Sequence, residues 1–415
     1  MNILITGIVS SGKSLLAKNT NDLLSPVVGV QETRHISLGR IYSDIISKRF
    51  NVPKENIGGV EETLAMGVRE GLLPSLVVEH MRDRDHNYLI DLPLTIFRKD
   101  HRTVRTFTLE QIMRFHDFAS IDNIVCLVPP TAKVEEKLKR KGLSEVHPTD
   151  SETLLGWIAA EVLLSQNLAE VLDVPLSIIP SGHSESSIAK IIFERTFYNE
   201  GESPPEIYLA QPISNIKALE EEAEDLGKKA ENAKGAKAKS LLGEAKEKAE
   251  LAKSYRDSIA GFRDELQKHA IVVNPIELAD MEKGDVHYSH TFHRDLYWFV
   301  HYTDMTVAFF PANLPSTGAD REIAEVKLIN KPCALVHPNA SSASNHPFKA
   351  APSRQYRFTE GSAFFSALSD LPNPFKRLRK DGAPRYSRLF EKQLKLLPPR
   401  KTGKVQGKLD RVSSK

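Results

Sequence analysis

Two groups of residues in this chain have types and spacings that could do chemistry. The first is Gly7-Ile8-Val9-Ser10-Ser11-Gly12-Lys13-Ser14, spaced G-x-x-x-x-G-K-S, which follows the apolar run Asn2–Thr6 and precedes Leu15-Leu16-Ala17. Glycines at this spacing let the backbone curl so that successive N–H groups point at phosphate oxygens, and a following helix adds its positive N-terminal end. Gly7, Ser10, Ser11 and Gly12 would then cradle the phosphates of ATP, Lys13 would reach the β- and γ-phosphates, and Ser14 would hold Mg²⁺. The second group is Asp295, in Arg294-Asp295-Leu296-Tyr297-Trp298-Phe299, with Glu322, in Ser316-Thr317-Gly318-Ala319-Asp320-Arg321-Glu322. Two carboxylates in unequal environments can open an N-glycosidic bond. One attacks the anomeric carbon and the other manages the proton on the departing base. Spacing alone leaves an ordinary reading open, with Asp295 as a helix cap and Glu322 as a favourable charge near a helix start.

Both groups need elements to position them. Over the first 197 residues, strand-like stretches at Asn2–Thr6, Arg34–Ser37, Tyr88–Asp91, Ile124–Val128 and Leu176–Ile179 alternate with helical patterns such as Leu64–His80 and Ala132–Lys141. That alternation predicts a parallel sheet with helices on both faces. Residues 198–205, rich in Pro, Gly and Glu, read as a linker. A second α/β pattern follows over 206–345, opening with the strand Ile207–Ala210. It is interrupted at about 216–268 by an Ala-, Glu-, Lys- and Leu-rich segment with a turn at Gly235, which predicts an inserted helical hairpin. A strand at Met305–Phe310 runs into a loop and a helix starting near Ala319. Ser316, Thr317 and the Gly318 backbone would sit at that helix's N-terminus, placed for a phosphate or a sugar hydroxyl, with Glu322 in its first turn. The expected fold class is α/β, with two doubly wound parallel-sheet domains and a basic tail over 346–415.

The bulk composition fits this division. A chain of 415 residues exceeds one ordinary core, and 40% hydrophobic with 27% charged residues describes a soluble globular protein. No apolar run approaches the roughly 20 residues of a bilayer span. The N-terminus reads as a first strand and not as a targeting segment. Cys126 and Cys333 both lie in apolar strand-like runs, as reduced core residues of a cytoplasmic protein would. The net charge of +2 conceals a tail with fourteen Lys/Arg against three Asp/Glu from Lys376 to Lys415. Such a tail is either a solvated, partly disordered end or a weak contact for nucleic acid or an anionic membrane. His287, His290, His293 and His301 flank Asp295 without a metal-ligand spacing, so no metal is expected beyond the Mg²⁺ accompanying ATP.

Further stretches carry family resemblances. His35-Ile36-Ser37-Leu38-Gly39-Arg40-Ile41, Thr63–Met81 with Gly71-Leu72-Leu73-Pro74, and Leu89-Ile90-Asp91-Leu92-Pro93-Leu94-Thr95 together make residues 1–197 resemble the adenylate kinase branch of the nucleoside monophosphate kinases. The resemblance implies ATP-dependent phosphoryl transfer and makes Asp91 an organiser of the Mg²⁺ water shell. The chain departs from that pattern at Arg40 and Leu94, and in lacking a long lid with paired arginines after Arg140. Arg98, Arg102, Arg105 and Arg140 are the candidates to replace those cations. In the second half, Ile207-Tyr208-Leu209-Ala210-Gln211-Pro212 and the Asp-x-x-Trp … Ser-x-Gly-x-x-x-Glu pattern resemble the nucleoside 2-deoxyribosyltransferase superfamily, closest to the branch that hydrolyses deoxynucleoside 5′-monophosphates. That resemblance implies Glu322 as the glycosyl nucleophile and Asp295 as its acid/base or orienting partner. It places Ser316 and Gly318 at sugar or phosphate and Tyr208 beside the base, with no cofactor. Here the chain departs at Gln211, where the family has glycine, and at Ser214-Asn215, which lacks an arginine.

Together these readings predict an enzyme of nucleotide metabolism that joins an N-glycosidase or deoxyribosyltransferase to a kinase-like domain, as a homodimer. Two alternatives stay open: a nucleotide-gated effector that depletes NAD or nucleotides, and a kinase whose second domain only binds nucleotides.

Overall fold

The computed structural model describes residues 2–24, 33–51, 53, 86–98, 102–105, 116, 120–144, 147–181, 205–275, 294–314, 316–338 and 355–367. The expected helix at Leu64–His80, the Gly71–Pro74 segment, His287, His290, His293 and the basic tail beyond residue 367 lie outside these residues. Within them, no helix is long and apolar enough to cross a membrane.

The protein is α/β and is built on two five-stranded sheets whose strand pairs are all parallel. The first sheet uses β1 (Asn2–Thr6), β2 (Thr33–Ser37), β3 (Asn87–Asp91), β6 (Ile121–Val128) and β7 (Leu176–Pro180), in the order β2-β3-β1-β6-β7. Its central strand reads Ile3-Leu4-Ile5-Thr6 with every residue buried, as a strand covered on both faces must. Leu4, Ile90 and Ile124 pack with Leu168, Ala169 and Leu172 of α4 (Ser151–Leu172). Ile3, Ile5 and Val125 pack with Leu16 and Ala17 of α1 (Lys13–Leu24). The side-chain period of two thus assigns α1 and α4 to different clusters. Between β3 and β6 an antiparallel hairpin intervenes, β4 (Thr95–Arg98) with β5 (Arg102–Arg105). The remaining helices of this half among the described residues are α2 (Leu38–Phe50) and α3 (Thr131–Arg140).

The second sheet has the order β12-β11-β10-β8-β9. Its strands are β8 (Glu206–Ala210), β9 (Ile271–Val273), β10 (Met305–Phe309), β11 (Cys333–Val336) and β12 (Gln355–Phe358). Edge strand β12 and α8 (Gly361–Ala367), where the sequence also reads as a helix near Ser362–Ser369, carry this unit beyond the expected end at residue 345. Alternation again sorts the faces. Ile207, Leu209, Val307 and Ala334 meet Ala252, Ile259, Phe262 and Leu266 of the long helix α6 (Ala236–Leu266). Tyr208, Ala210, Ala308 and Leu335 meet Leu296, Phe299, Ile323 and Val326 on the other face. These come from a π-helical turn at Asp295–Val300 and from α7 (Thr317–Leu328). Helices α5 (Ile213–Glu231) and α6 form the hairpin between β8 and β9, with Gly235 at positive φ opening α6.

The two sheets adjoin each other. A buried hydrogen bond of 2.6 Å runs from the Ser177 hydroxyl on β7 to Glu206 Oε1 at the start of β8. Ile271 of β9 joins the apolar cluster that holds Ile179 of β7.

Candidate phosphate loop and carboxylate pair

The Gly7–Ser14 loop leaves the C-terminal end of β1, between β3 and β6, where the strand order of the first sheet reverses. Open α/β sheets bind ligands at such points. Gly7 has φ +141°, and a Cβ there would lie 2.9 Å from the Leu127 carbonyl oxygen and from Ser11 Oγ, so only glycine fits. Gly12 has φ +109° and faces the Lys137 ammonium, 3.7 Å from where its Cβ would stand. Ser10 is also left-handed at φ 68°. The buried Lys13 ammonium donates to the carbonyls of Gly7 (2.6 Å) and Ile8 (2.9 Å). Burial lowers its proton affinity, opposed by the charges of Asp91 and Glu161 and reinforced by Lys141. Among the described residues, Ser11 Oγ is buried without a hydrogen-bond partner.

Ser14 donates its hydroxyl to Asp91 Oδ2, which also accepts from the Ser37 hydroxyl at 3.2 Å. Asp91 ends β3 and is buried, with His35 Nε2 at 3.8 Å. Burial pushes its carboxyl up, but His35, the Lys13 charge and the Ser14 hydroxyl outweigh it, and the acid lies below its usual range. Loop lysine, serine hydroxyl and ionised aspartate therefore stand on one side of the sheet.

The cations come from an unexpected place. Lys137 and Lys141, at the end of α3, lean over the loop, with Lys141 Nζ 3.4 Å from Ser10 Oγ. Arg140, between them, is exposed, and the side chains of Arg98, Arg102 and Arg105 lie outside the described set. The signal was present as Lys137-Leu138-Lys139-Arg140-Lys141, where a one-turn spacing puts 137 and 141 on one face.

Glu161 was also missed. It lies in the apolar stripe of α4, only 1% exposed, and accepts from Thr6, Gly7, Leu94 and Thr95. A glutamate among Leu154, Ile158, Val162 and Leu168 was its sequence signal.

The second sheet brings Asp295 and Glu322 together. Both are nearly buried, at 8% and 9% exposure. The Tyr208 hydroxyl, pointing from β8 toward α7, donates to Glu322 Oε1 at 2.8 Å. Tyr208 stacks on Phe299 with ring centroids 6.5 Å apart. Arg294 Nε, itself buried, donates to Asp295 Oδ1 at 2.8 Å. Burial, and then the charge of Asp295, push the Glu322 carboxyl up to about 8, against the Tyr208 hydrogen bond and Arg294, which lower it. Burial likewise raises the Tyr208 hydroxyl well above its ordinary range, so it remains a donor.

One detail differs from expectation, and others add to it. Glu322 is the sixth residue of α7, so it lies in the second turn and not the first. Asp295 opens a π-helical turn, a geometry frequent at functional sites. Ser316 is the N-cap of α7, its hydroxyl accepting from the Ala319 N–H at 3.3 Å, while Thr317 and Gly318 stay exposed. Gln211, just past β8, is buried and donates its amide to Asn274 past β9. His301 pairs with Glu325 at 2.9 Å. Among the described residues no cluster of three or more His, Cys, Asp or Glu is arranged to hold a metal ion. Both cysteines are buried and unbridged. Neither a family model nor a curated protein matches this chain.

Proposed function

We propose that the protein is a cytosolic nucleotide-metabolism enzyme whose second unit cleaves or transfers the base of a (deoxy)nucleoside or its 5′-monophosphate. The observation that carries this reading is the buried Tyr208–Glu322 hydrogen bond beside Asp295 and Arg294. Two carboxyls held at different acidity by burial and mutual charge are what acid/base division of labour needs. Ionised Glu322 attacks C1′ of the sugar as the C1′–N bond breaks, and the departing base takes a proton from a solvent water oriented by the Asp295 carboxylate. Water, or an acceptor base, then releases the sugar from Glu322 with Asp295 now taking the proton. Arg294 holds Asp295 in place, and Tyr208 stabilises the Glu322 carboxylate as it forms. The exposed Thr317 and Gly318 at the start of α7 are the candidates for sugar or phosphate.

The first unit is read as a P-loop domain of adenylate-kinase type that binds ATP. The residues fit Mg²⁺ with phosphates: Ser14 and Asp91 offer oxygens, and a nucleotide's phosphates would complete the shell. The ion would neutralise charge on the phosphates. Lys13, Lys137 and Lys141 supply cations at the loop, and the Ser11 hydroxyl, without a partner among the described residues, is available as a donor. A homodimer is the expected assembly. The contact between the units through Ser177 and Glu206 favours a second reading, in which nucleotide at the first unit gates the glycosidase.

Incubating the full chain with a panel of nucleosides, nucleotides and NAD, with and without ATP and Mg²⁺, tests both readings. Free base without ATP, abolished in Glu322→Ala, supports the enzyme. Base release only with ATP supports the gated effector. No base release under either condition sinks both.

A further inference from the structure

Helix α4 presents an apolar stripe to the first sheet, and Glu161 breaks it. A carboxylate 1% exposed is costly unless its oxygens are hydrogen-bonded, and a leucine there would pack α4 without that cost. The donors come from two chain segments, the ends of the paired strands β1 and β3. Oε1 accepts from the Thr6 hydroxyl, the Gly7 N–H (2.9 Å) and the Leu94 N–H (2.8 Å). Oε2 accepts from the Thr95 N–H (2.7 Å) and the Thr95 hydroxyl. One turn earlier on the same helix, Trp157 Nε1 donates to the Thr95 hydroxyl at 3.0 Å.

The two segments are the halves of the phosphate site. Thr6-Gly7 opens the loop that carries Lys13 and Ser14. Leu94-Thr95 lies just past Asp91, the carboxylate that accepts from Ser14. We propose that Glu161 is the positioning residue of this site: it locks the opening of the loop and the turn after β3 at one separation, so that Lys13, Ser14 and Asp91 face the same nucleotide. The Glu161 charge also offsets the effect of burial on Lys13 and helps keep the ammonium protonated. Its own acceptor capacity is used entirely on the protein, so it positions the site without touching ligand.

The inference rests on the nucleotide reading of Gly7–Ser14. Its test is equilibrium binding of ATPγS, with and without Mg²⁺, to the full-length protein and its Glu161→Gln variant, well below either melting temperature. Glutamine keeps the shape but turns an NH₂ toward one set of N–H donors, freeing either Thr95 or the Gly7–Leu94 pair. The expected result is about tenfold weaker binding, with a smaller gain from Mg²⁺, in a variant that is still folded. A lowered melting temperature with unchanged ATPγS affinity makes Glu161 a packing residue and overturns the proposal. If Glu161→Gln does not fold, Thr95→Val decides, since it removes one hydroxyl donor and keeps the N–H. A severalfold loss of affinity supports the proposal, and unchanged affinity overturns it. A wild-type protein that binds no ATPγS sinks the nucleotide reading itself.

Discussion

The Tyr208 hydroxyl donates to Glu322 Oε1 at 2.8 Å and so joins a central strand of the second sheet to the helix that follows its neighbour. The bond favours the ionised carboxylate, against burial and the Asp295 charge. In Tyr208→Phe the ring keeps its stack on Phe299 and the donor is lost. Base release should fall by about tenfold, roughly the 1.4 kcal/mol expected of one hydrogen bond to a charged group. The acid limb of the pH–rate profile should also move to higher pH. A rate loss without that movement would separate Tyr208 from the acidity of Glu322.

The pH dependence has a definite sign. The Glu322 acid lies at about 8 in the folded protein and near its ordinary 4.5 when unfolded. The native state therefore holds a proton that the unfolded chain has released, and stability declines as pH rises between those values. Thermal melts from pH 5 to 8 should show a falling midpoint in the wild type and a flatter line in Glu322→Gln, whose amide cannot ionise. The same variant should lose base release by on the order of a thousandfold or more, since no carboxylate remains to attack. Wild-type kcat/KM should rise across this pH range as the nucleophile ionises.

The sequence made the strands legible because each is short, apolar and followed by a turn. Asn2–Thr6, Ile207–Ala210 and Met305–Phe309 need no partner information to be read. The pairing of Asp295 with Glu322 was legible through their order around a strand. The acidity difference was not, because it arises from burial and from Tyr208, which tertiary packing decides. Helix α4 escaped notice because apolar residues such as Leu163 and Val171 also lie on its exposed face, which blurs its 3.6-residue period. Glu161 was hidden with it, although a lone carboxylate between Ile158 and Val162 is the mark of a buried polar tie. The approach of Lys137 and Lys141 to the loop was not legible, because it depends on how α3 docks beside it.

The loop cations make separate predictions. Lys13→Met removes a buried ammonium whose partners are the Gly7 and Ile8 carbonyls, and it should weaken ATP binding by on the order of a hundredfold or more. Lys137→Met and Lys141→Met should each cost less, about three- to tenfold, because these groups are more exposed and screened by salt. The salt dependence of ATP affinity should be shallower in both. Titration with ATPγS at low and high salt checks all three, and an unaltered affinity in Lys13→Met would remove the loop from nucleotide binding.

Lys331 holds the far end of the turn that carries Asp295. Its ammonium donates to the carbonyls of Val300 (3.2 Å), His301 and Thr303, where the π-helical turn ends and its carbonyls lack helical partners. Burial lowers this ammonium to about 8, opposed by the Asp304 and Glu206 charges. Lys331→Met keeps the aliphatic stem, removes the ammonium from the His301 and Thr303 carbonyls and leaves Val300 only the 3.5 Å bond from the Thr303 hydroxyl, a loss of about 1–3 kcal/mol in chemical denaturation. Because the native ammonium is easier to deprotonate than the unfolded one, the wild type loses that charge above about pH 8. The stability difference between wild type and variant should then widen as pH climbs from about 8 toward 10, since the unfolded chain still binds a proton that the native state has released. If the turn orients Asp295, base release at pH 7 should drop along with stability. A variant destabilised as expected but fully active would show that Arg294 alone fixes Asp295.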